Sequence, residues 1–388
     1  MTIELGISGL GLAAWLYLLL ARGGFWRANI REETAPKAEP QEWPLVAAVI
    51  PARDEASIIG ASLSSLLRQE YPNPLRVILV DDQSQDGTSA VARSTAEALN
   101  ASKRLTILRG RPLPNGWTGK LWAMKQGVEE ARSMPEPPRY LLLADADISC
   151  DPSIVRRLVA RAETGSLVLT SLMVKLRCES FAERALIPAF VFFFQLLYPF
   201  AWVNRRKSSR AAAAGGCMLV RSDALEAAGG IEAIRSSLID DCALGSSMKK
   251  QGPIWLGLTD SAHSLRPYPS LRDIWQMVAR SAYDQLNYSP LFLVGTVLGM
   301  IVTYLMPPLI GVFGSGWAQA IGLAAWGLMT FAFFPIIRFY KIAPLWSAAL
   351  PVIASLYMVF TIDSALQHWR GKGGLWKGRA QARRAEAS

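Results

Sequence analysis

Four short apolar runs, alternating with helix-like segments and closing on polar or acidic residues, constrain this chain more than any other feature. LVAAVI (45–50), LRVILV (75–80), RLTILR (104–109) and YLLLA (140–144) carry the strand pattern. Helical patterns fill 56–69, 88–99 and 119–131, and another begins near 152. Strands alternating with helices build βαβ units and a mostly parallel sheet. Sheets of that kind bind ligands beyond the carboxyl ends of their strands. Three of the four runs end in acids: Asp54 and Glu55 after the first, Asp81 and Asp82 with Asp86 after the second, and Asp145 and Asp147 after the fourth. Another pair, Asp240 and Asp241, follows later.

Clustered carboxylates repel one another and are costly to desolvate unless a cation joins them. Mg2+ or Mn2+ does so, typically through one or two carboxylates and substrate phosphates. Aspartates at i and i+2 on an extended strand end face the same way, so Asp145 and Asp147 are expected to meet one metal–diphosphate. Taken alone, that pair also reads as an acidic turn, and Asp240 with Asp241 as a helix N-terminus, where acids are favoured. His263, just past IWLGL, reads as a loop histidine or as a third metal ligand.

Hydrophobic residues make up 51% of the chain and the net charge is +10, a basic balance that suits nucleic acid, anionic lipid or phosphorylated substrates. The apolar runs favour lipid and a phosphorylated small molecule. No zinc knuckle or basic-aromatic stretch supports nucleic acid. Cys150, Cys178, Cys217 and Cys242 show no CxxC spacing, so neither a disulfide framework nor a zinc site is implied, and a reducing compartment is expected.

Residues 5–21 form an apolar run just long enough to span a bilayer. No basic n-region precedes it and no small-residue cleavage site follows, so residues 1–22 are read as a retained anchor. Arg22, Arg27 and Arg31 then place the next segment in the cytoplasm. Gly9, Gly11 and Ala14 imitate a dinucleotide fingerprint by coincidence, since no strand precedes them. Residues 32–42 read as a linker, 43–288 as a cytoplasmic α/β domain, 289–366 as a C-terminal transmembrane region and 367–388 as a basic cytoplasmic tail. Candidate spans lie at 291–313, 317–337 and 345–366, with Gly295 and Gly299 as a weak packing signal. Three full spans put the tail outside, against its own charges. One run is therefore expected to be re-entrant or interfacial, and Pro307 and Pro308 mark the first. The apolar stretch 181–204 is long enough to span, but a span there separates two parts of the site. It is read as an interfacial or acceptor-facing helix.

VIPARDE (49–55), VDDQSQDGT (80–88), ADAD (144–147) and IDD (239–241) resemble, in order and spacing, the motifs of family 2 inverting glycosyltransferases. The resemblance covers residues 45 to 288. GWTGKLWAMKQG (116–127), AAAAGGCMLVRSDAL (211–225), LIDDCALG (238–245) and SLRPY (264–268) look most like the hopene-associated branch. That branch is similar to ceramide glucosyltransferases and lies beside hopanoid biosynthesis genes in bacteria. The resemblance implies a GT-A nucleotide-diphospho-sugar transferase fold, Rossmann-like, with flanking transmembrane helices. It implies transfer of a sugar from a nucleotide donor, UDP-linked, to a lipid acceptor, hopanoid-related, at the bacterial inner membrane. Polyprenyl phosphate is an alternative acceptor, which basic NRRKSSR (204–210) suits. A catalytically silent scaffold in hopanoid synthesis or transport is the non-enzymatic alternative.

The resemblance also implies roles. Pro51, Ala52, Arg53, Asp54 and Glu55, with Asp82, line the nucleobase and ribose pocket, and either Asp81 or Asp82 bonds uracil. The family's usual asparagine is Asp54 here, which puts that contact in doubt. Asp145, Ala146 and Asp147 hold the metal and the donor diphosphate, and Lys120 meets a phosphate. Asp241 is the general base, with Asp240 raising its pKa. Gly215, Gly216, Cys217, Met218 and Gln276 lie on the acceptor side. Arg280 stands one residue later than the arginine of the family's QxxRW and is followed by Ser281 instead of tryptophan. It offers a cation to the leaving phosphate, and the departure speaks against a processive polysaccharide synthase. Residues 271–288 show helical periodicity, with Gln276, Arg280 and Asp284 on one face, and also read as an amphipathic membrane-surface helix.

Overall fold

The computed structural model describes residues 2–34, 39–371, 375–376 and 379–380. Part of the expected linker (35–38) and most of the basic tail, including Lys372, Lys377, Arg383 and Arg384, lie outside the described residues. The chain divides into two compact units. An α/β unit comprises mainly Ile30–Arg177 and Trp202–Pro267, and a helical unit the segment ending at Asn29, Cys178–Ala201 and the segment beginning at Tyr268.

In the α/β unit the strands are β1 (Val46–Ala52), β2 (Arg76–Asp81), β3 (Leu105–Arg109), β4 (Tyr140–Ala144), β5 (Ile148–Cys150), β6 (Leu169–Lys175), β7 (Cys217–Arg221) and β8 (Ile254–Ser264). They form one sheet in the order β3-β2-β1-β4-β7-β6-β8-β5. The first four are parallel, as expected. Strand β7 runs antiparallel between β4 and β6, and β5 antiparallel to β8, so the far half is mixed. Every residue of β1 is buried, as a central parallel strand covered on both faces requires.

The strand order reverses between β1 and β4, which makes their carboxyl ends the topological switch point. Pro51 sharpens that opening. Ala52 turns its carbonyl toward β2, accepting from Asp82 N at 2.8 Å. Pro51 therefore faces β4, where pairing has already ended at Val49 and Leu143. A residue with no N–H costs nothing there.

The expected linker is not solvent-bathed throughout. Leu258 N donates to Ile30 O at 2.9 Å, and Glu32 is fully buried with Arg157 at 2.6 Å. Burial holds the Glu32 carboxyl above its usual range despite that arginine.

Among the described residues, five segments are long and apolar enough to cross a membrane: Ile3–Ala21, Phe181–Val203, Pro290–Phe313, Gly316–Phe339 and Pro344–Trp369. The helix Phe181–Leu197 packs within the helical unit, with Phe192 at 5.2 Å from Phe333 and Phe193 at 5.0 Å from Tyr357 between ring centroids. The segment Pro290–Phe313 contains a π turn at Ile301–Leu305. Pro307 has no N–H for the carbonyl of Thr303. The indole of Trp15 donates to that carbonyl at 2.8 Å instead. Gly11 makes the approach possible, since a Cβ there would lie 2.8 Å from Pro307 Cγ. The fingerprint look-alike is thus a packing device.

The helix expected over 271–288 stops at Ala279. Ser364, 85 residues further on, donates through Oγ to the freed Ala279 carbonyl and accepts from Tyr283 N at 3.0 Å. Asp284 falls in a separate 3-10 turn.

Candidate active site

The loops after β1 and β2 are stitched to each other. Asp54 adopts a left-handed backbone, φ 49°. Its N–H donates to Ser84 Oγ at 3.0 Å, and its Oδ1 accepts from Gln85 N at 2.9 Å. Asparagine and aspartate are the side chains that best tolerate this conformation. The departure from the family's asparagine is therefore conservative for the backbone. Glu55 N donates to Thr88 Oγ1, and Ala56 N to Asp86 Oδ2. Those bonds, with two from Thr88, hold the Asp86 carboxyl below its usual range although burial opposes them.

Asp81 spends both oxygens on its own loop, accepting from Ser84 N at 2.8 Å and from Ser89 Oγ. Asp82 is fully buried, with Arg53 Nη1 at 2.5 Å from its carbonyl and 3.7 Å from its carboxylate. Gly110, which no motif in the sequence singles out, closes this wall. A Cβ there would lie 3.0 Å from Asp81 O.

Asp145 and Asp147 are not on an extended strand. They sit in a turn between β4 and β5, closed by Ile148 N donating to Asp145 O at 3.2 Å. The alternation expected to align them is absent, and each takes its own cation. Asp147 Oδ2 accepts from Ser264 Oγ at 2.9 Å and from Arg266 Nε at 3.2 Å, while Arg266 Nη2 reaches Glu55 Oε1 at 2.6 Å. Arg266, in the SLRPY segment, is not among the site residues expected from sequence. Only its place in that motif signals it.

Lys120 lies in the first turn of the helix Gly119–Arg132, whose N-cap is Thr118. A cation is disfavoured there by the helix dipole. Three acids reverse the balance. Lys120 Nζ is 2.8 Å from Asp145 and 3.1 Å from Asp240, with 16% of its side chain exposed. Burial pulls its pKa down, but Asp145, Asp240 and Asp241 outweigh it and hold the ammonium well above its usual range. The resemblance assigns Lys120 to a phosphate; here it holds carboxylates.

Asp240 and Asp241 open the helix Asp240–Lys249. Asp241 Oδ1 accepts from Cys242 N at 2.7 Å and Oδ2 from Gly215 N at 2.9 Å. Burial first, then the charge of Asp240, push its pKa up to about 6, against Lys120 and the two N–H donors. The helix reaches this position because Gly245 lies on the chain at 212–213, where a Cβ would be 2.7 Å from Ala212 C. Gly245→Ala is expected to cost ~1–3 kcal/mol of stability and to shift Asp241. A drop in kcat together with a lowered urea midpoint would show both.

Several expected site residues are buried. Ala52 ends β1 and Ala146 lies in the turn before β5, while Cys217 and Met218 are in β7, so the side chains of these last two do not line an acceptor surface. A hydrogen bond with Cys150 and burial hold the Cys217 thiol neutral. Gly216 is pressed on Val174, where a Cβ would lie 2.8 Å from Cγ2, and Gly215 meets Asp241. His263 pairs with Ser149 in the sheet and neighbours Ser264, whose hydroxyl points to Asp147. Alternation turns His263 to the other face. Gln276 and Arg280 are exposed and belong to the helical unit.

Asp145 and Asp147 offer hard oxygen ligands, and burial first, then the Asp147 charge, raise the Asp145 pKa against the pull of Lys120. Among the described residues no three His, Cys, Asp or Glu side chains form a closed metal site. This set fits Mg2+ or Mn2+, which complete their shells with substrate phosphates, and does not fit a structural zinc.

A Rossmann-like sheet with acids at the switch point and a carboxylate at a helix start is the arrangement expected of a GT-A fold. The chain belongs to the glycosyltransferase-like family 2, whose model matches residues 43–256. It is similar to the probable glycosyltransferase YdaM of Bacillus subtilis (strain 168), at 31% identity over 124 residues, 30% of this chain and 29% of that one. The match thus spans about three tenths of that relative's length. The mannosyltransferase PcManGT from Pyrobaculum calidifontis, in complex with GDP-Man and Mn2+, superposes with a TM-score of 0.60 at 17% identity, over 94% of this chain and 99% of that one. That likeness speaks for the fold. S. aureus TarS 1–349 in complex with UDP-GlcNAc reaches a TM-score of only 0.40 at 12% identity, over 89% of this chain and 98% of that one.

Proposed function

We propose that this chain is a membrane-bound, metal-dependent inverting glycosyltransferase that moves a sugar from a nucleotide donor, UDP-linked, to the hydroxyl of a hopanoid-related lipid. One observation carries the chemistry: Asp241, fixed by two N–H donors beside Lys120 and Asp240, with a pKa about 6. Each of its oxygens keeps a second lone pair for a proton. The acceptor O–H passes its proton to Asp241 as its oxygen bonds the anomeric carbon. The bond from that carbon to the diphosphate oxygen breaks, and its electron pair leaves with the nucleoside diphosphate. Asp145 and Asp147 would hold the metal, whose charge would offset that of the leaving group when bound. Pro51 to Glu55 and Asp82 hold the nucleoside end. The five apolar segments and the hopene-associated motifs support a lipid acceptor and an inner-membrane location.

The base works only when deprotonated, so kcat/KM is expected to fall about tenfold per pH unit below about 6. A flat profile from pH 5 to 8 removes Asp241 from that role. The overall test is transfer of labelled sugar by the protein in lipid nanodiscs, with a panel of UDP and GDP sugars and Mn2+. Failure to bind any of them sinks the reading. The exposed cations Arg205, Arg206, Lys207 and Arg210 favour a second reading, a polyprenyl-phosphate acceptor. An acid-labile sugar-phosphate product supports it, whereas an acid-stable glycoside supports the lipid hydroxyl.

A further inference from the structure

We propose that Arg266 is a positioning residue that couples the nucleoside end of the donor site to its metal end. Glu55 follows β1, Asp147 follows β4, and Arg266 follows β8, so one guanidinium ties down both sides of the switch point. Its Nη2 is 2.6 Å from Glu55 and its Nε 3.2 Å from Asp147. Both carboxylates are nearly buried, at 7% and 11% side-chain exposure, so a cation shared between them offsets part of the cost of burying two acids. The bridge is anchored from behind: Arg266 N donates to Ser264 Oγ at 3.3 Å, Ser264 Oγ donates to Asp147, and Leu265 N donates to Asp147 O at 2.8 Å. A rigid planar fork spans two acids; a lysine, being a point charge, satisfies one at a time. The inference rests on the assignment of Asp147 to the metal.

The test is calorimetric binding of UDP and GDP, with and without Mn2+, to wild type and Arg266→Lys. Wild type is expected to bind the nucleotide at least tenfold tighter with Mn2+. In Arg266→Lys that gain should shrink to threefold or less, while metal-free affinity changes less than threefold. Donor KM should then rise more than kcat falls. An undiminished Mn2+ gain in Arg266→Lys overturns the proposal. No Mn2+ gain in wild type defeats the metal assignment instead. Arg266→Gln, which keeps hydrogen bonds without charge, is the second variant if the lysine protein is unstable.

A different observation concerns the last apolar segment. We infer that Pro344–Trp369 enters and leaves the membrane on one side. Pro290–Phe313 and Gly316–Phe339 form an antiparallel hairpin through Gly314 and Ser315, and a Cβ on Gly322 would sit 2.7 Å from Pro307 O. Phe339 therefore returns to the end where Pro290 begins. Trp369 reaches that same end: His368 stacks on Tyr288 at 4.4 Å, Trp369 lies 5.8 Å from Tyr283, and Ser364 bonds Ala279 and Tyr283. Between those ends, Trp326 Nε1 donates to Ala348 O at 3.0 Å. Trp326 precedes Phe339 by 13 residues, ~20 Å at the helical rise. The chain thus goes in about that far and comes back. Its 3-10 turn Pro344–Ala349 lies at depth, where irregular backbone is tolerated only with its polar groups satisfied by protein. Arg338 and Lys341 before it and Arg370 after it then share a side, as the charge rule prefers.

Labelling with a membrane-impermeant maleimide tests this in the full chain carrying Cys178→Ser, since the other native cysteines are buried. Arg338→Cys and Arg370→Cys should be labelled from the same side. Labelling from opposite sides overturns the inference. Fluorescent-protein and phosphatase fusions after Ser388 and after Lys341 repeat the measurement if either variant folds poorly, and opposite reporter responses overturn the inference equally.

Discussion

Asp241→Asn is expected to lower kcat by about 10²–10⁴, the range a positioned general base contributes. The affinity for UDP or GDP with Mn2+ should stay within about twofold. The asparagine amide cannot accept the acceptor's proton. Nucleotide binding should be spared because the residues proposed to hold the donor are elsewhere, at Pro51–Glu55, Asp82, Asp145 and Asp147. One native contact must suffer: both oxygens of Asp241 accept N–H bonds, from Cys242 and Gly215, and an amide has only one oxygen. A stability loss of ~1–3 kcal/mol from the mismatched donor is therefore expected, and a urea titration separates it from the catalytic defect. Weakened nucleotide binding with kcat unchanged at saturating donor would reverse the roles of Asp241 and Asp145.

Lys120→Met is expected to do more damage to the fold. It removes the ammonium that lies 2.8 Å from Asp145 and 3.1 Å from Asp240, at a cost of ~3–5 kcal/mol for stranding a buried charge. The sign of its pH dependence is fixed. The carboxyls of Asp145 and Asp241 already titrate above their unfolded value, so folding takes up protons and stability falls as pH rises through that window. Without Lys120 the window extends upward. The variant should be relatively sturdier at pH 5 than at pH 8, and its residual activity should need a pH above the wild-type limb at about 6. Denaturant midpoints at the two pH values and one pH–rate profile check both claims. An unchanged limb would show that Lys120 does not act on Asp241.

Local periodicity makes β1 to β4 legible, because buried parallel strands read as short apolar runs and their ends collect the polar residues. It cannot place β7 antiparallel between β4 and β6, since nothing local in CMLVR names its neighbours. The acids are legible too, but their division of labour is not. Asp81 and Asp86 staple loops, Asp82 is sealed with Arg53, and Lys120 binds Asp145 and Asp240. Most of those facts are contacts between segments distant in the chain. Arg266 joins positions 211 and 119 residues earlier in the chain, and Gly245 matters only for the backbone it lies against. The break at Ala279 is hidden for the same reason, since the hydroxyl that ends the helix comes from Ser364.

The bond from Trp15 to Thr303 carries a consequence for biosynthesis. It joins residues 288 positions apart, and it closes a gap that Pro307 opens in its own helix. The first helix must therefore wait, with that indole lacking this partner, until Thr303 has been made. Shortening the protein at its start leaves the α/β sequence intact and still wounds the helix that carries Thr303. An N-terminal deletion that loses activity would then report a defect in membrane assembly while its sugar chemistry stayed whole.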